Sequence, residues 1–181
     1  MKDFETVIAF WFNQENSKYW FVASAEFDET IHQKFGQLHE TACSHTLDHW
    51  KTQPLSNLAL VIVLDQFSRN LYRNNARAFV QDHYAKTIST YAVNNKLDAE
   101  FTDSQKSFLY MPFMHSESLE DQEKSVELFK GENLKHSLPY AIEHRNIIKQ
   151  FGRFPHRNEI LGRTSTEAEL DYLNSPNAFK G

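Results

Sequence analysis

Apolar side chains recur along the chain at helical spacing. The segment 27–38 carries Phe, Ile, Phe and Leu at intervals of four, four and three residues, which places them on one helix face. Residues 58–64 are apolar at seven successive positions, and Pro54 stands where a first helical turn tolerates proline. No second strand-like segment exists to pair with this run. The pattern therefore predicts a central helix that is buried on all sides.

Capping signals place further helices along the chain. Thr102 with Gln105, and Thr166 with Glu169, have the spacing of a capping box, in which two side chains satisfy free N–H groups at a helix start. Gly152 is placed to end the helix that precedes it. These signals predict separate helices joined by short turns.

Two more features complete the predicted architecture. Residues 76–93 have the pattern of a helix that packs beside the central one, and Pro112 is expected to end or kink the helix opened by Thr102. We expect seven or eight helices and an all-α fold of stacked antiparallel helical hairpins. The length, 181 residues, favours a single domain over residues 1–181.

Composition supports a helical protein that needs no covalent staples. Glycine and proline total 10 of 181 residues, which leaves few positions for the tight turns of an all-β fold. With 40% hydrophobic residues the chain can bury an ordinary core. The single cysteine, Cys43, cannot form an internal disulfide, which is typical of a reducing compartment.

Net charge and the lack of targeting signals reduce the classes of partner that we expect for this chain. The formal net charge of -5 has the wrong sign for a protein that neutralises many phosphates, so nucleic acid is not expected as the main partner. Residues 1–5 carry acids where a signal peptide needs a basic region, and no apolar run reaches the length that spans a bilayer. We therefore expect a cytoplasmic protein with no membrane partner.

The arginines are concentrated in two windows, residues 69–77 and 145–163. The twelve lysines are spread along the chain, and only Lys149 lies in either window. The planar guanidinium binds carboxylate or phosphate through two parallel hydrogen bonds and tolerates partial burial, which an ammonium group does less well. Because arginines are clustered along the sequence and lysines are not, we infer that arginine has a role that lysine does not fill. The seven arginines are Arg69, Arg73, Arg77, Arg145, Arg153, Arg157 and Arg163.

Two interpretations of these arginines stay open. In the structural one, they pair with acids of the chain and lock the helices together. In the functional one, several converge on an anionic ligand. We favour the structural interpretation for Asp65 and Arg69, which are four residues apart in the favourable helical order and emerge from the apolar run. For Arg153 and Arg157, in an irregular segment, we favour the functional one.

Histidines near the second window are candidates for acid and base chemistry. His144 is spaced to lie on the apolar face of its helix, and His115 and Glu117 follow Pro112 in a break between helices. His156 lies in the irregular basic segment beside Arg157. A metal site would need three or four of these groups to converge, and no HExxH or CxxC spacing supports one.

The residues also carry a family resemblance over nearly the whole chain. The blocks Leu64-Asp65-Gln66-Phe67-Ser68-Arg69-Asn70 and Phe151-Gly152-Arg153-Phe154-Pro155-His156-Arg157-Asn158 are among the residues that carry it. On these residues the sequence resembles the bacterial family known as domain of unknown function 924, in the tetratricopeptide-like all-helical superfamily. It departs from the family pattern at Ser68, where proline is usual. The resemblance implies a tetratricopeptide-like α-α superhelix and implies no activity. The matching positions are Phe10-Trp11-Phe12, Trp20-Phe21, Trp50, Leu64-Asp65-Gln66-Phe67-Ser68-Arg69-Asn70, Arg73, Ala78-Phe79, Met111-Pro112, His115-Ser116-Glu117, Gln122, His144, Phe151-Gly152-Arg153-Phe154-Pro155-His156-Arg157-Asn158, Leu161-Gly162-Arg163 and Thr166.

The sequence leads to three functional hypotheses. The first is a polar groove, shared by both arginine windows, that binds a small anionic ligand or a carboxylate-bearing, acidic peptide end. The second is a hydrolase or lyase that uses Glu117 with His115 or His144 as acid and base, and the third is a structural or interaction scaffold with no small-molecule site. No cofactor and no metal are expected, and the oligomeric state stays open. The predicted catalytic residues are His115, Glu117 and His144, and the predicted ligand-binding residues are Asp65, Arg69, Asn70, Arg73, Arg153, His156, Arg157, Asn158 and Arg163.

Overall fold

The computed structural model of the chain describes residues 3–176 and 178–180, and this part consists of helices and turns without strands. The predicted all-α helical array is confirmed. None of its helices is both long enough and apolar enough to cross a bilayer. The α-helices are α1 (Asp3–Trp11), α2 (Gln14–Ser17), α3 (Ala25–Cys43), α4 (Pro54–Val61), α5 (Ser68–Leu71), α6 (Asp82–Asn94), α7 (Asp103–His115), α8 (Leu119–Gly131), α9 (Leu138–Phe151) and α10 (Glu167–Asn174).

The chain divides into two compact units. The first contains residues up to Arg73 and Arg77–Pro112, and the second contains Asn74–Ala76 and the residues from Phe113 onward. The expectation of a single domain, and that of a likeness to tetratricopeptide repeats, stay predictions.

The core of the first unit is the apolar run, packed between α1 and α6. Residues 58–64 are all 0% exposed, as the sequence predicts. The run is not one regular helix, however, because α4 passes into a π-helical stretch, Ile62–Phe67, before α5 begins. Two carbonyls of this stretch accept side-chain donors: the Ser68 hydroxyl bonds Leu64 O at 2.6 Å, and the Arg69 guanidinium bonds Asp65 O at 2.7 Å. These hydrogen bonds give partners to carbonyl oxygens that the irregular backbone would otherwise leave unpaired.

Two helix boundaries differ from the sequence prediction. Residues 76–93 are not one helix: Ala76–Phe79 is a short 3₁₀ turn, and α6 starts at Asp82, an acid suited to a helix N-terminus. Pro112 does not end α7, which continues to His115. Proline removes one backbone donor, but burial of the flanking Phe113 and Met114 offsets that loss.

Two further sequence predictions concern the first unit. The Thr102–Gln105 capping box is confirmed, since each side chain bonds the other residue's backbone N–H. The adjacent aromatic residues Trp20 and Phe21 predict a place in the core, and this prediction is wrong for Phe21, which is 76% exposed although its ring centroid lies 6.2 Å from that of Phe108. Phe21 lies in the turns between α2 and α3.

The second unit is a helical hairpin followed by an irregular segment and a last helix. Helices α8 and α9 pack against each other, and α10 contacts the 3₁₀ turn Pro155–Arg157. Gly152 and Gly162 have φ values of +71° and +65°, in the left-handed region, so they reverse the chain at each end of the irregular segment. The Thr166–Glu169 capping box starts α10 as predicted. This segment carries His156 and Arg157 of the candidate site.

Candidate functional site

The predicted ligand-binding residues of the first unit hold carboxylates of the chain itself. Arg73 binds Asp28 of α3 with both ends of its fork, Nε at 2.6 Å and an Nη atom at 2.8 Å, and Asn70 donates to the same carboxylate at 2.8 Å. These contacts join the end of α5 to α3. They are the contacts that the structural interpretation describes.

Arg69 is placed between two acids. Its guanidinium lies 3.2 Å from Asp65 Oδ1 and forms two bonds, of 3.0 and 3.1 Å, with Asp82 at the start of α6. Asp65 is 0% exposed and its second oxygen accepts from Gln66 at 2.5 Å. The predicted Asp65–Arg69 pair is therefore present. Removing one partner would leave a buried charge uncompensated.

Arg153 of the second unit is also bound by an acid of the chain. It binds Glu169 through two bonds of 2.6 and 2.8 Å, and it donates to Thr164 O. These Arg153 hydrogen bonds, together with the N–H of Thr166, lower the pKa of Glu169 to about 2, although burial opposes the charge. The pair fixes α10 to the turn after α9, so the Arg153 fork already holds a carboxylate.

Glu117 lies between a guanidinium and a backbone N–H. Its oxygens accept from Arg163 at 2.7 and 3.0 Å and from the N–H of Phe154 at 2.8 Å. Burial raises the pKa of Glu117. The hydrogen bonds from Arg163 and Phe154, with the charges of Arg163 and Arg157, lower it by more than burial raises it, so the net shift of the pKa is downward. Glu117 is therefore ionised. This bonding makes it a fixed anion that holds the irregular segment, and a poor general acid.

His144 is buried on α9, as its spacing predicts, with 6% of the residue exposed. Its Nδ1 lies 2.8 Å from the carbonyl oxygen of Tyr140. Because a carbonyl only accepts, Nδ1 carries the proton and Nε2 is left with a lone pair. Burial, followed by the nearby His115, lowers the pKa of His144 to about 3, so the ring is neutral at pH 7.

His156 and Arg157 flank the same aromatic ring. The ring centroid of Phe154 lies 5.4 Å from that of His144 and 5.5 Å from that of His156, and the Arg157 guanidinium lies over the ring at 4.5 Å. Burial, and then the charge of Arg157, lower the pKa of His156 to about 4. Its Nδ1 atom is buried and has no hydrogen-bond partner among the described residues.

His115 and Asn158 complete the predicted set in this unit. His115 is the last residue of α7, half-buried, and interacts electrostatically with His144 and His156. Asn158 is buried and donates to the Ser165 hydroxyl at 3.0 Å. We use the name histidine–arginine cluster for His115, His144, His156 and Arg157. The expectation that both arginine windows line one groove stays a prediction.

Comparison with known proteins gives a family but no activity. Residues 7–177 match a family described as bacterial protein of unknown function, DUF924. The chain belongs to the DUF924 family. A solved structure of a protein of unknown function from Agrobacterium tumefaciens is 34% identical, with a TM-score of 0.88 over 94% of this chain and 96% of that one. No curated protein matches the chain.

The cluster of this DUF924 protein combines neutral rings with a buried cation. Arg157 is 6% exposed, and its guanidinium lies over the Phe154 ring. A guanidinium stacked on a ring carries its N–H groups in the plane parallel to that ring. Neutral imidazoles can both donate and accept hydrogen bonds, but bases with pKa values near 3 or 4 are weak at pH 7. The arrangement suits binding of an anion better than proton transfer. In the described part of the chain, no three His, Cys, Asp or Glu side chains are arranged to hold a metal ion.

The sequence analysis does not select two aromatic residues of the candidate site. Phe154 supplies the ring at the centre of the cluster, and Phe179, beyond α10, contacts two of its histidines. A buried aromatic residue between Gly152 and Pro155 was a usable signal for the first, since glycine and proline fix the backbone on both sides. An isolated phenylalanine after the last helix gave no comparable signal.

A second feature of this DUF924 chain lies in its first unit. An open groove of about 540 Å³ is lined by residues of α3 and by Leu71, Tyr72 and Arg77. Arg77 covers the Tyr72 ring at 3.9 Å and donates to its hydroxyl at 2.8 Å. The nearby His39 is buried, which lowers its pKa to about 4, and it bonds the Ser68 hydroxyl at 2.8 Å. The His39–Ser68 bond links α3 to α5.

Proposed function

We propose that this DUF924 protein binds a small anionic ligand, a carboxylate or a phosphate, at the histidine–arginine cluster of its second unit. The observation that carries the proposal is the Nδ1 atom of His156, which is buried without a hydrogen-bond partner beside the buried guanidinium of Arg157. A polar atom left in this state costs about 1–3 kcal/mol. A ligand oxygen that accepts a hydrogen bond at Nδ1 removes that cost.

The charges around the cluster favour an anion over a cation or a neutral ligand. Burial is the largest cause of the lowered pKa of His144 and His156, and the charge of Arg157 lowers both pKa values further, so its positive field reaches both rings. An anion placed there gains attraction to Arg157 and counteracts the effect that keeps the imidazoles neutral. Binding should therefore strengthen as the pH falls toward the histidine pKa values, since a bound anion favours the protonated rings.

The nearby carboxylates are less available than the histidines. Both oxygens of Glu117 accept hydrogen bonds from Arg163 or Phe154, and Glu169 is bound by Arg153. A hydrolase or lyase that uses Glu117 would first have to release Arg163. The anion-binding function needs no such rearrangement, which is why we place it first.

Calorimetric titration with inorganic phosphate and with succinate tests the proposal. We expect one of the two anions to bind, and Arg157→Lys to weaken binding at least about tenfold because it keeps the charge and loses the fork. Arg145→Lys is the matched control, since Arg145 lies in the same window but binds Asn146 on the helix surface. Absence of binding by both anions at millimolar concentration, or equal loss in both variants, contradicts the proposal.

A further inference from the structure

The histidine rings of the cluster are covered by a side chain from beyond the last helix. The centroid of the Phe179 ring lies 4.4 Å from that of His144 and 5.2 Å from that of His156, and the planes are inclined by 60° and 75°. These are edge-to-face arrangements, which aromatic rings favour. The Phe179 ring therefore occupies a site formed by the two neutral imidazole rings of His144 and His156, which we call the aromatic seat.

Residues 178–180 are attached by hydrogen bonds to the end of α10 and by the packing of the Phe179 ring. The N–H of Phe179 donates to the Tyr172 hydroxyl at 2.9 Å, and Ala178 N–H donates to Ser175 O at 3.2 Å. The ring packs at the edge of the apolar cluster of Ile147, Ile148 and Phe154 and is itself only partly buried. Residues 178–180 have no regular secondary structure. Partly exposed segments without regular secondary structure open at low free-energy cost.

We infer that the Phe179 ring occupies the position of an aromatic group of the ligand, so that the ligand is an aromatic carboxylate or phosphate that displaces residues 178–180. This inference rests on the proposed anion-binding function and specifies the ligand. The seat accepts the ring of the ligand, and Arg157, stacked on the neighbouring Phe154, binds its charged group. The segment 178–180 then acts as a strap that competes with the ligand.

A ligand that competes with the strap binds only the molecules in which the strap is open. Its apparent affinity is therefore the intrinsic affinity multiplied by the open fraction. Removing the Phe179 ring should therefore strengthen binding of an aromatic anion. It should leave an anion without a ring almost unaffected, because such an anion does not use the seat. The contrast between two probes with the same charged group isolates the contribution of the ring.

The first experiment measures phenyl phosphate and inorganic phosphate binding by calorimetry. We expect Phe179→Ala to bind phenyl phosphate about tenfold more tightly than the wild type and inorganic phosphate within about twofold. Leu170→Ala, at an exposed apolar position of α10, is the matched control and should change neither. Unchanged or weaker phenyl phosphate binding by Phe179→Ala overturns the inference.

A second readout separates the strap from the proposed function. Diethyl pyrocarbonate modifies accessible neutral imidazoles, and peptide mass spectrometry gives the rate at each histidine. Without any ligand, Phe179→Ala should raise the rates at His144 and His156 at least about fivefold and leave the exposed His83 and His136 unchanged. Faster modification in Phe179→Ala without binding of either phosphate would support the strap and contradict the anion site. Unchanged modification rates would contradict the strap.

Tyr172→Phe tests the strap without removing the ring. This variant loses only the hydroxyl that accepts from Phe179 N–H. We expect it to raise the modification rates at His144 and His156 in the same direction as Phe179→Ala, but less. It also decides the question if Phe179→Ala does not fold, and rates equal to those of the wild type would then overturn the inference.

Discussion

Lowering the pH should destabilise the second unit through its buried histidines. The pKa of His144 is about 3 in the folded chain, against about 6.5 in an unfolded one. Between these values the unfolded state binds a proton that the folded state does not, so the free energy of unfolding decreases as the pH falls. The contribution of the neutral ring is complete above about pH 6.5 and is lost progressively on the way down to the folded pKa.

The expected magnitude follows from the size of that interval. One pKa unit corresponds to about 1.36 kcal/mol, so a drop from pH 7 to pH 5 costs roughly 2 kcal/mol for each buried histidine. His156, with a pKa of about 4, contributes almost the same amount over this range. Once protonated, His144 would also be repelled by the charges of His115, His156 and Arg157.

Urea denaturation at pH 7 and pH 5 measures the effect. In His144→Asn the amide can replace the bond to the Tyr140 carbonyl but cannot be protonated. We expect this variant to lose about 2 kcal/mol less stability than the wild type between the two pH values. His136→Asn, at an exposed position, is the control and should behave like the wild type. Identical pH dependence in His144→Asn and the wild type would refute the burial argument.

Two further predictions concern the irregular segment. Glu117→Gln should lower the free energy of unfolding by about 2 kcal/mol in urea denaturation, because Arg163 loses its carboxylate; a change below about 0.5 kcal/mol would show that this pair does not hold the segment. Gly152→Ala should cost about 1 kcal/mol, since φ is +71°, whereas Gly131→Ala, at the end of α8 with no atom within 4 Å of the added Cβ, should cost nothing. Equal effects of the two substitutions on the thermal unfolding midpoint would contradict the assignment of strain to φ.

The features that the sequence predicts are those with local causes. The seven-residue apolar run and the two capping boxes depend on residues within one or two turns, and each is present. The Asp65–Arg69 pair belongs with them, because four-residue spacing on a helix brings the side chains together. The stripe on α3 is buried at Phe27, Ile31 and Phe35, whereas Leu38 is partly buried and the next buried residue is His39.

The features that the sequence does not predict depend on tertiary structure. Arg73 finds Asp28, and Arg163 finds Glu117, across separations of 45 and 46 residues. Counting charges along the chain cannot select such partners, since many acids are available to each arginine. The π-helical stretch is similar, because it depends on carbonyls bonded by side chains that local propensity does not describe. The candidate site lies in the same category, since Phe179 reaches His144 only after α9 and α10 have packed.

Nitrogen-15 NMR of the histidine side chains during titration with inorganic phosphate at pH 7 tests anion binding at the cluster most directly. We expect a saturable shift of the His156 Nδ1 signal, because that atom gains a hydrogen-bond partner, and no shift at the exposed His136. An unchanged His156 signal up to millimolar phosphate, or parallel shifts at both histidines, would contradict it.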